Sequence, residues 1–322
     1  MVEGLLKITI NKFSFIIIKI VCMKKSLKNI SFAALLLLAA GVVNTSCTKA
    51  DYGDDFTKGD APPVAGGYVN SNEIAPTNLV AHFPFENSVA DVKGGVTGGT
   101  ASGTTSFVEG RKGQAYQGST NGFIGYTNPG PIATLTSFTT SVWINTNKHD
   151  GGAQGVFTLA KQDGSFWGNF FLMIEGNNST ENKMFMKLHM EKNTAPFVEH
   201  WIEPFGNFRP DDMYGAWRHV AWTYDATTSK VGFFINGQKR ALPPGSDTRV
   251  ADGTGTPLGG LNFKNPTKFI IGGMQNHLGA PFNAPEPWML NYTGKLDEFR
   301  IYNKALSEIE INALVILERQ GR

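Results

Sequence analysis

Three short stretches of the chain combine tryptophan with polar side chains and with residues that interrupt regular structure. An indole ring offers a flat apolar surface to one face of a pyranose, and amide or guanidinium groups bind sugar hydroxyls. We therefore predict a carbohydrate-binding rim on these stretches. The alternative is that the rings are buried and close the ends of the fold, as we expect of Trp143 and Trp222 within strands. The stretches are 166–169, 200–209 and 282–288, and their candidate contact residues are Trp167, Trp201, Arg209, Asn283 and Trp288.

Glu199 and Glu203 are the carboxylates whose spacing permits catalysis. Residues four apart on a strand share one face, and glycoside cleavage needs two carboxyl groups about 5 to 10 Å apart. The alternative, which we favour, is a pair of solvent-facing carboxylates near a sugar groove. The six histidines fall on separate predicted elements, and no Gly-x-Ser-x-Gly nucleophile motif accompanies them. We predict no catalytic residues.

The stretch 217–238 predicts a β-hairpin. Val220, Trp222 and Tyr224 alternate along one strand face, and Asn236-Gly237 suits a type I′ turn after the second strand. The rest of the chain from residue 77 contains many short alternating segments, separated by Gly, Pro, Asn and Asp. This pattern predicts an all-β domain of two antiparallel sheets packed face to face.

The run 217–224 resembles the Trp-x-His-Val strand of the laminin-G-like jellyroll family, within the concanavalin A-like lectin and glucanase superfamily. Further segments resemble that family in the same order, so the resemblance covers residues 77–317. It implies a jelly-roll sandwich of the concanavalin A type, with His219 as a hydrogen-bonded structural residue. The further segments are 79–86 with Asp91, 113–116, 138–144, 269–272 and 294–307.

The resemblance also bears on catalysis and on metal binding. Laminarinase-type glucanases of this superfamily carry a Glu-x-Asp-x-x-Glu run, and here Trp201 stands where the aspartate would follow Glu199. Jellyroll lectins of this type often hold calcium, and Glu86, Asp91 and Asp297 stand at motif positions that could supply oxygen ligands. We expect calcium as a possible cofactor at these three residues. The alternatives are an Asx turn at Asp91 and a hydrogen-bonded strand-end carboxylate at Asp297.

The end of the chain predicts a short helix. Ser307 and Glu310 form the pattern of a capping box, and Ile309, Ala313, Leu314 and Leu317 follow at helical spacing.

The start of the chain predicts a lipoprotein signal peptide over residues 1–46. Lys24 and Lys25 precede the short apolar stretch 30–43, which ends close to Cys47, so Cys47 is the expected lipidation site. Asn44 departs from the usual lipobox residue, which leaves signal peptidase I cleavage or an uncleaved anchor as alternatives. We expect the true start at Met23, the alternative being a long or tandem leader.

Residues 47–76 predict a flexible tether, because they contain Gly, Pro and Ala with little hydrophobic periodicity. Residues 77–322 then form the laminin-G-like domain. The acidic cluster Asp51, Asp54 and Asp55 resembles a signal for export to the cell surface, and a solvated linker is the alternative. We expect a lipid-anchored protein of the outer membrane, exposed at the cell surface.

The charge and the cysteine content exclude several classes of function for the domain. Residues 1–46 contain six Lys and one Glu, which leaves 23 basic and 26 acidic residues and a net charge of −3 in the remainder. Without a basic patch beyond Lys239-Arg240, the domain is not a nucleic-acid binder. The two cysteines are Cys22 and Cys47, so the domain has neither a disulfide nor a thiol nucleophile.

Together these patterns predict a cell-envelope lipoprotein that binds carbohydrate, a polysaccharide in particular, without catalysis. Glycan-degrading enzymes or transporters are its expected partners. Two alternatives stay open. One is a glycoside-cleaving enzyme of the same superfamily, and the other is an adhesion module that binds protein.

Overall fold

Side chains alternate along the strands between a shared interior and an outer surface, and this alternation assembles two stacked sheets. The computed structural model describes residues 61–176, 182–194, 198–251 and 255–322. Within these residues each sheet has eight strands. The strand pairings are antiparallel except for one in the second sheet, where Met289–Asn291 runs parallel to Ala153–Lys161. The predicted jelly-roll sandwich of two antiparallel sheets is confirmed.

The first sheet, called sheet A, has the strand order β13-β12-β11-β6-β16-β4-β3, and β1 also pairs with β16. Its strands are β1 (Leu79–Phe83), β3 (Ser106–Glu109), β4 (Gln114–Gln117), β6 (Phe138–Asn145), β11 (Arg218–Asp225), β12 (Lys230–Ile235), β13 (Gln238–Arg240) and β16 (Lys295–Tyr302).

The second sheet, called sheet B, has the strand order β10-β9-β8-β7-β14-β5-β2, and β15 pairs with β7. Its strands are β2 (Thr97–Ser102), β5 (Phe123–Asn128), β7 (Ala153–Lys161), β8 (Phe170–Glu175), β9 (Met186–Lys192), β10 (Val198–Ile202), β14 (Pro266–Ile271) and β15 (Met289–Asn291).

The space between the sheets is filled by apolar and aromatic side chains. Phe299 of sheet A packs against Phe157 of sheet B with 5.3 Å between ring centroids. Trp222 stacks on Phe233 at 4.1 Å, and both rings are fully buried. Burial of each large apolar side chain contributes about 1.5–3 kcal/mol, so this layer is the main source of stability.

The predicted hairpin is present as β11, β12 and β13. Asn236 and Gly237 both have positive φ, at 52° and 81°, and Ile235 pairs with Gln238 across the turn. This geometry is that of a type I′ turn, which confirms the prediction from the Asn-Gly pair.

The C-terminal helix α1 (Glu308–Arg319) covers the outer face of sheet A. The capping box is confirmed, since Ser307 accepts from the Glu310 amide and Glu310 accepts from the Ser307 amide. Leu314 and Leu317 are buried against the sheet. The helical spacing placed Ile309 on the apolar face of the helix, and this expectation is wrong. Ile309 is 57% exposed, and Ile311 is buried instead.

The jellyroll unit begins earlier than the sequence indicated. Residues 61–322 form one compact unit, so described residues ahead of the expected domain start at 77 pack with the domain. Ile74 is fully buried beside α1, and the Ser71 hydroxyl donates to the Arg322 carbonyl at 2.7 Å. Apolar burial therefore fixes part of the stretch assigned to the tether, because Ile74 completes the cluster under the helix.

A buried charged network joins α1 to sheet A. The register of β16 shifts between Asp297 and Arg300, and Glu298 in the bulge has a φ of 46°. Arg300 lies opposite Ser141 and Asp297 opposite Trp143, so the bulge places both charged side chains on the outer face. The Arg300 guanidinium donates to Glu298 at 2.6 Å and to Glu318 of α1 at 2.9 Å.

No helix within the described ranges is long and apolar enough to cross a membrane. The expected signal peptide, the lipidation site Cys47 and residues 47–60 of the tether lie outside the described residues.

Candidate functional site

The outer face of sheet B carries an aromatic row built by strand alternation. In β8, Leu172 points into the core while Phe171 points outward. The register pairs Phe171 with His189 of β9, and His189 with Trp201 of β10. Side chains that lie opposite one another share a face, so these three rings form a row across the strands. The His189 ring lies 4.6 Å from both Phe171 and Trp201.

Two further tryptophans reach this row from loops. Trp167, which precedes β8, stacks on Phe171 at 5.3 Å and meets Trp201 edge to face at 5.1 Å. Trp288, just before β15, lies 5.7 Å from Trp167. The close approach of this second loop requires Gly152, since a Cβ there would overlap the carbonyl oxygen of Trp288.

The three tryptophans line an open cleft of about 520 Å³, called here the aromatic cleft. Its volume falls within the range typical of small-molecule sites, about 300 to 1,000 Å³. The lining residues are Gly152, Trp167, Met173, Glu175, Lys187, Trp201, Glu203 and Trp288.

The polar groups of the aromatic cleft form one connected set. The Lys187 ammonium lies 2.8 Å from Glu175 and 3.5 Å from Glu203. All three side chains are partly exposed, so they are accessible to a ligand. The cleft thus combines apolar ring faces with oxygens that accept and an ammonium that donates, which is the chemistry needed to bind a polyhydroxylated ligand.

Beneath the aromatic row lies a buried polar layer. Lys161 donates to both carboxylate oxygens of Glu191 at 2.8 Å, and the Glu191 carboxylate lies 3.5 Å from His189. His189 is fully buried, and neither ring nitrogen has a hydrogen-bond partner in the structure. This layer supports the rings and is not exposed to a ligand.

Comparison with known families places this arrangement in context. A laminin-G family model, described as the concanavalin A-like lectin/glucanases superfamily, matches residues 117–312, more than half of the chain. The chain belongs to this family. The resemblance expected from the sequence is confirmed.

Solved structures show the same fold for this laminin-G-like domain. Domain 4 of a GH43 extracellular arabinanase from Geobacillus stearothermophilus, in complex with arabinotriose, is 19% identical; the match covers 74% of this chain and 98% of that one, with a TM-score of 0.49. The binding domain of botulinum neurotoxin DC, in complex with rat synaptotagmin II, is 18% identical with coverages of 77% and 52% and a TM-score of 0.51.

A structure of botulinum neurotoxin type C, whose cell entry depends on interaction with two ganglioside molecules, is 17% identical, with coverages of 78% and 52% and a TM-score of 0.50. The chain spans about half the length of these neurotoxin chains. At these identities the likeness concerns the fold. A search of curated proteins finds no match.

The structure brings together three of the five predicted contact residues of the laminin-G-like domain. Trp167, Trp201 and Trp288 line the aromatic cleft, and their contact with a ligand stays a prediction. Arg209 and Asn283 are not among the lining residues. The Arg209 guanidinium lies 4.2 Å above the ring of Phe185, and the Asn283 amide donates to the Gly164 carbonyl.

Sequence reasoning missed Glu175 and Lys187. Lys187 lies on β9, where Met186 and Leu188 face the core. This alternation is the signal for Lys187, because it assigns the intervening polar side chains to the outer face. Glu175 ends β8, whose residues are apolar on both faces, so alternation gives no signal for it.

The geometry of Glu203 bears on the catalytic alternative. Its neighbours are Lys187 and Glu175 rather than the predicted partner Glu199, which is exposed on β10. Since Glu175 and Glu203 contact the same nitrogen, their oxygens lie about 6 Å apart or less, near the spacing of about 5 to 9.5 Å seen in glycosidases. The Lys187 ammonium lies between them, where a glycosidic oxygen or a water would have to stand.

The predicted calcium ligands do not fit a shared cation site. Asp91 accepts from the amides of His82 and Val96, and Asp297 accepts from the amides of Arg111 and Lys112. Glu86 likewise accepts from the Gln114 amide at 3.0 Å. Among the described residues no three acidic, histidine or cysteine side chains converge on one point. Calcium binding at these residues stays a prediction.

The structural prediction for His219 agrees with its surroundings. The side chain is fully buried, and its Nε2 atom lies 2.7 Å from the Ser141 hydroxyl. Burial lowers the pKa of His219 to about 3, so the ring is neutral at physiological pH.

Proposed function

We propose that this laminin-G-like domain binds a polysaccharide chain in the aromatic cleft without cleaving it. The convergence of Trp167, Trp201 and Trp288 from three separate segments is the observation that carries the proposal. A cleft lined only by apolar side chains would suit a lipid. Here Glu175, Lys187 and Glu203 place hydroxyl-binding groups beside the rings. Botulinum neurotoxin type C has a similar fold, and its cell entry depends on interaction with two ganglioside molecules. This likeness supports a glycan ligand for the present domain.

Protein adhesion is less consistent with the described surface. Among the described residues only four large apolar side chains are exposed, Val69, Val92, Phe205 and Ile309. A protein-binding surface is usually a contiguous apolar patch with a polar rim.

The first experiment is a binding screen with residues 61–322 against soluble polysaccharides, using affinity electrophoresis and calorimetry. Trp167→Ala, Trp201→Ala and Trp288→Ala are each expected to weaken binding about 5- to 150-fold, taking the loss as about 1–3 kcal/mol, the value for removing an aromatic platform from under a stacked nucleic-acid base. Trp217→Ala is the matched control, since Trp217 is partly exposed and does not line the cleft. Binding that survives all three cleft variants would refute the site.

Cleavage is the second candidate, favoured by the spacing of Glu175 and Glu203. Its test is release of reducing ends from any bound polysaccharide. Turnover that disappears in Glu203→Gln would establish an enzyme, whereas binding without turnover supports the proposal.

The setting of the domain is proposed from the sequence. Cys47 is the lipidated residue, and the protein is held at the outer membrane surface, where it retains polysaccharide for degrading enzymes or transporters. Labelling with a fatty-acid analogue that is lost in Cys47→Ala would support the anchor, and protease digestion of intact cells would report surface exposure. An unlabelled protein with its leader retained would refute it.

A further inference from the structure

We infer that the aromatic cleft selects uncharged glycans and rejects acidic ones such as uronate or sialate polymers. The inference rests on the proposed function and names the class of ligand that the same site takes.

The single lysine of the aromatic cleft is already engaged by two carboxylates. Lys187 contacts Glu175 at 2.8 Å and Glu203 at 3.5 Å, so the three groups together carry a net charge of −1. No other Lys, Arg or His is among the described residues that line the cleft. A sugar carboxylate entering here would meet two like charges before it met a free cation.

Three basic side chains outside the lining of the aromatic cleft have protein partners, and a fourth, Arg209, lies 4.2 Å over the Phe185 ring. Lys161 lies beneath the aromatic row with Glu191, and Lys264 pairs with Asp163 in the loop that carries Trp167, at 3.0 Å. His149 donates to the carbonyl of the lining residue Gly152, and burial lowers the pKa of its ring, so it is neutral at physiological pH. Sites that bind carboxylates usually present an arginine or lysine free to form charge-assisted hydrogen bonds, and Lys161, Lys264 and His149 are not free in this way.

The same three groups suit neutral sugars. A hydroxyl donates to a carboxylate oxygen and accepts from an ammonium, and an ammonium has three N–H donors, of which Glu175 and Glu203 need two. A neutral glycan therefore satisfies the polar set without placing a charge beside it.

The test compares each neutral polysaccharide with its own carboxylated derivative. Mannan, galactan and a β-glucan are used as such and after oxidation of their primary hydroxyls to carboxylates, and alginate and polygalacturonate are added as natural acidic polymers. For any backbone that binds, the acidic form is expected to bind at least about tenfold more weakly, because like charges brought together cost several kcal/mol. Added salt is expected to narrow the difference by screening.

A charge variant tests the cause. Glu175→Gln with Glu203→Gln keeps the shape of the aromatic cleft and leaves Lys187 without its anionic neighbours, so the acidic form is expected to gain affinity relative to the neutral one. Wild-type protein that binds an acidic polymer as tightly as its neutral parent, with dependence on Trp201, would overturn the charge selection and leave the proposed function standing. If no polymer binds in a manner that depends on the cleft tryptophans, the proposed function fails and the inference with it.

Discussion

Replacement of Glu318 by leucine is expected to destabilise the domain by about 3–5 kcal/mol, because it breaks a buried ion pair from one side. Glu318 is fully buried on α1 and accepts from the Trp143 indole at 2.6 Å and from the Arg300 guanidinium at 2.9 Å. Burial alone would lower the pKa of Arg300, but Glu318 and Glu298 on either side raise it, so the guanidinium keeps its charge.

The size of the expected loss of stability depends on which hydrogen bonds Arg300 and Trp143 keep in the variant. Leucine fills nearly the same volume, so the loss comes from polar groups rather than from a cavity. Arg300 keeps Glu298 at 2.6 Å and Asn72 at 3.0 Å, which limits the loss at the guanidinium. The Trp143 indole loses its acceptor altogether, and a buried unsatisfied donor costs about 1–3 kcal/mol.

Urea denaturation followed by tryptophan fluorescence measures the change, with thermal unfolding as a second readout. A loss of 3–5 kcal/mol corresponds to a fall in Tm of about 6–20 °C for a domain of this size. Glu308→Gln on the same helix is the control, since its pair with Lys239 is exposed and such pairs are worth about 1 kcal/mol or less. If the free energy of unfolding falls no more in Glu318→Leu than in Glu308→Gln, the buried charged network does not hold α1 on sheet A.

Three further outcomes are expected. His219 is neutral when buried but takes up a proton near pH 6.5 when unfolded, so its own contribution to stability is full above pH 6.5 and falls by about 2 kcal/mol between pH 6.5 and 5, measured by urea denaturation of wild type and His219→Gln at both values. His219→Gln is expected to flatten that decline, and an unchanged slope would contradict the assignment. Gly237→Ala is expected to lower Tm more than Gly245→Ala, because both have positive φ but only the Gly237 Cβ would press on Asn312, at 3.2 Å from its Cα; equal losses would refute the contact. Calcium binding at Glu86, Asp91 and Asp297 predicts a rise in Tm on adding calcium that is lost with a chelator and in Asp91→Asn; a Tm that calcium does not change would contradict that prediction.

Much of the fold could be predicted because its signals are local. The Asn236-Gly237 pair sets two positive φ values within two residues, and Ser307 with Glu310 satisfies the first turn of α1 within four. Such signals need no knowledge of distant contacts. The packing of residues ahead of 77 depends instead on Ile74 meeting the C-terminal helix, a contact between opposite ends of the domain that spacing does not reveal.

The bulge in β16 also escaped prediction. A period of two residues assigns Asp297 and Arg300 to opposite faces, yet the register shift puts both on the outer face of sheet A. The charged network under α1 exists only because of this shift. Asp297 accepts amides of the neighbouring loop, which agrees with the hydrogen-bonded strand-end carboxylate that was the alternative to a calcium ligand.

The aromatic cleft could be predicted in part. Tryptophans beside breakers mark loops, and Trp167 and Trp288, which were chosen for that reason, both line the cleft. Arg209 was selected because it is near Trp201 in sequence, but the chain turns after β10 and the guanidinium packs on Phe185. Proximity along a loop does not fix the direction in which a side chain points, whereas alternation along a strand does. Lys187 was identifiable by that rule.

The two outer faces of the sandwich differ in whether their polar groups are buried or open to solvent. The outer face of sheet A is covered by α1, with Arg300 and Glu318 buried beneath it, so its polar groups have partners within the protein. The outer face of sheet B carries loops instead, and its ion set around Lys187 stays open to solvent. A ligand in the aromatic cleft therefore displaces no buried contact of α1. It follows that Glu318→Leu, while still folded, keeps the affinity of the wild type, and that Trp201→Ala loses binding with little change in the helix network.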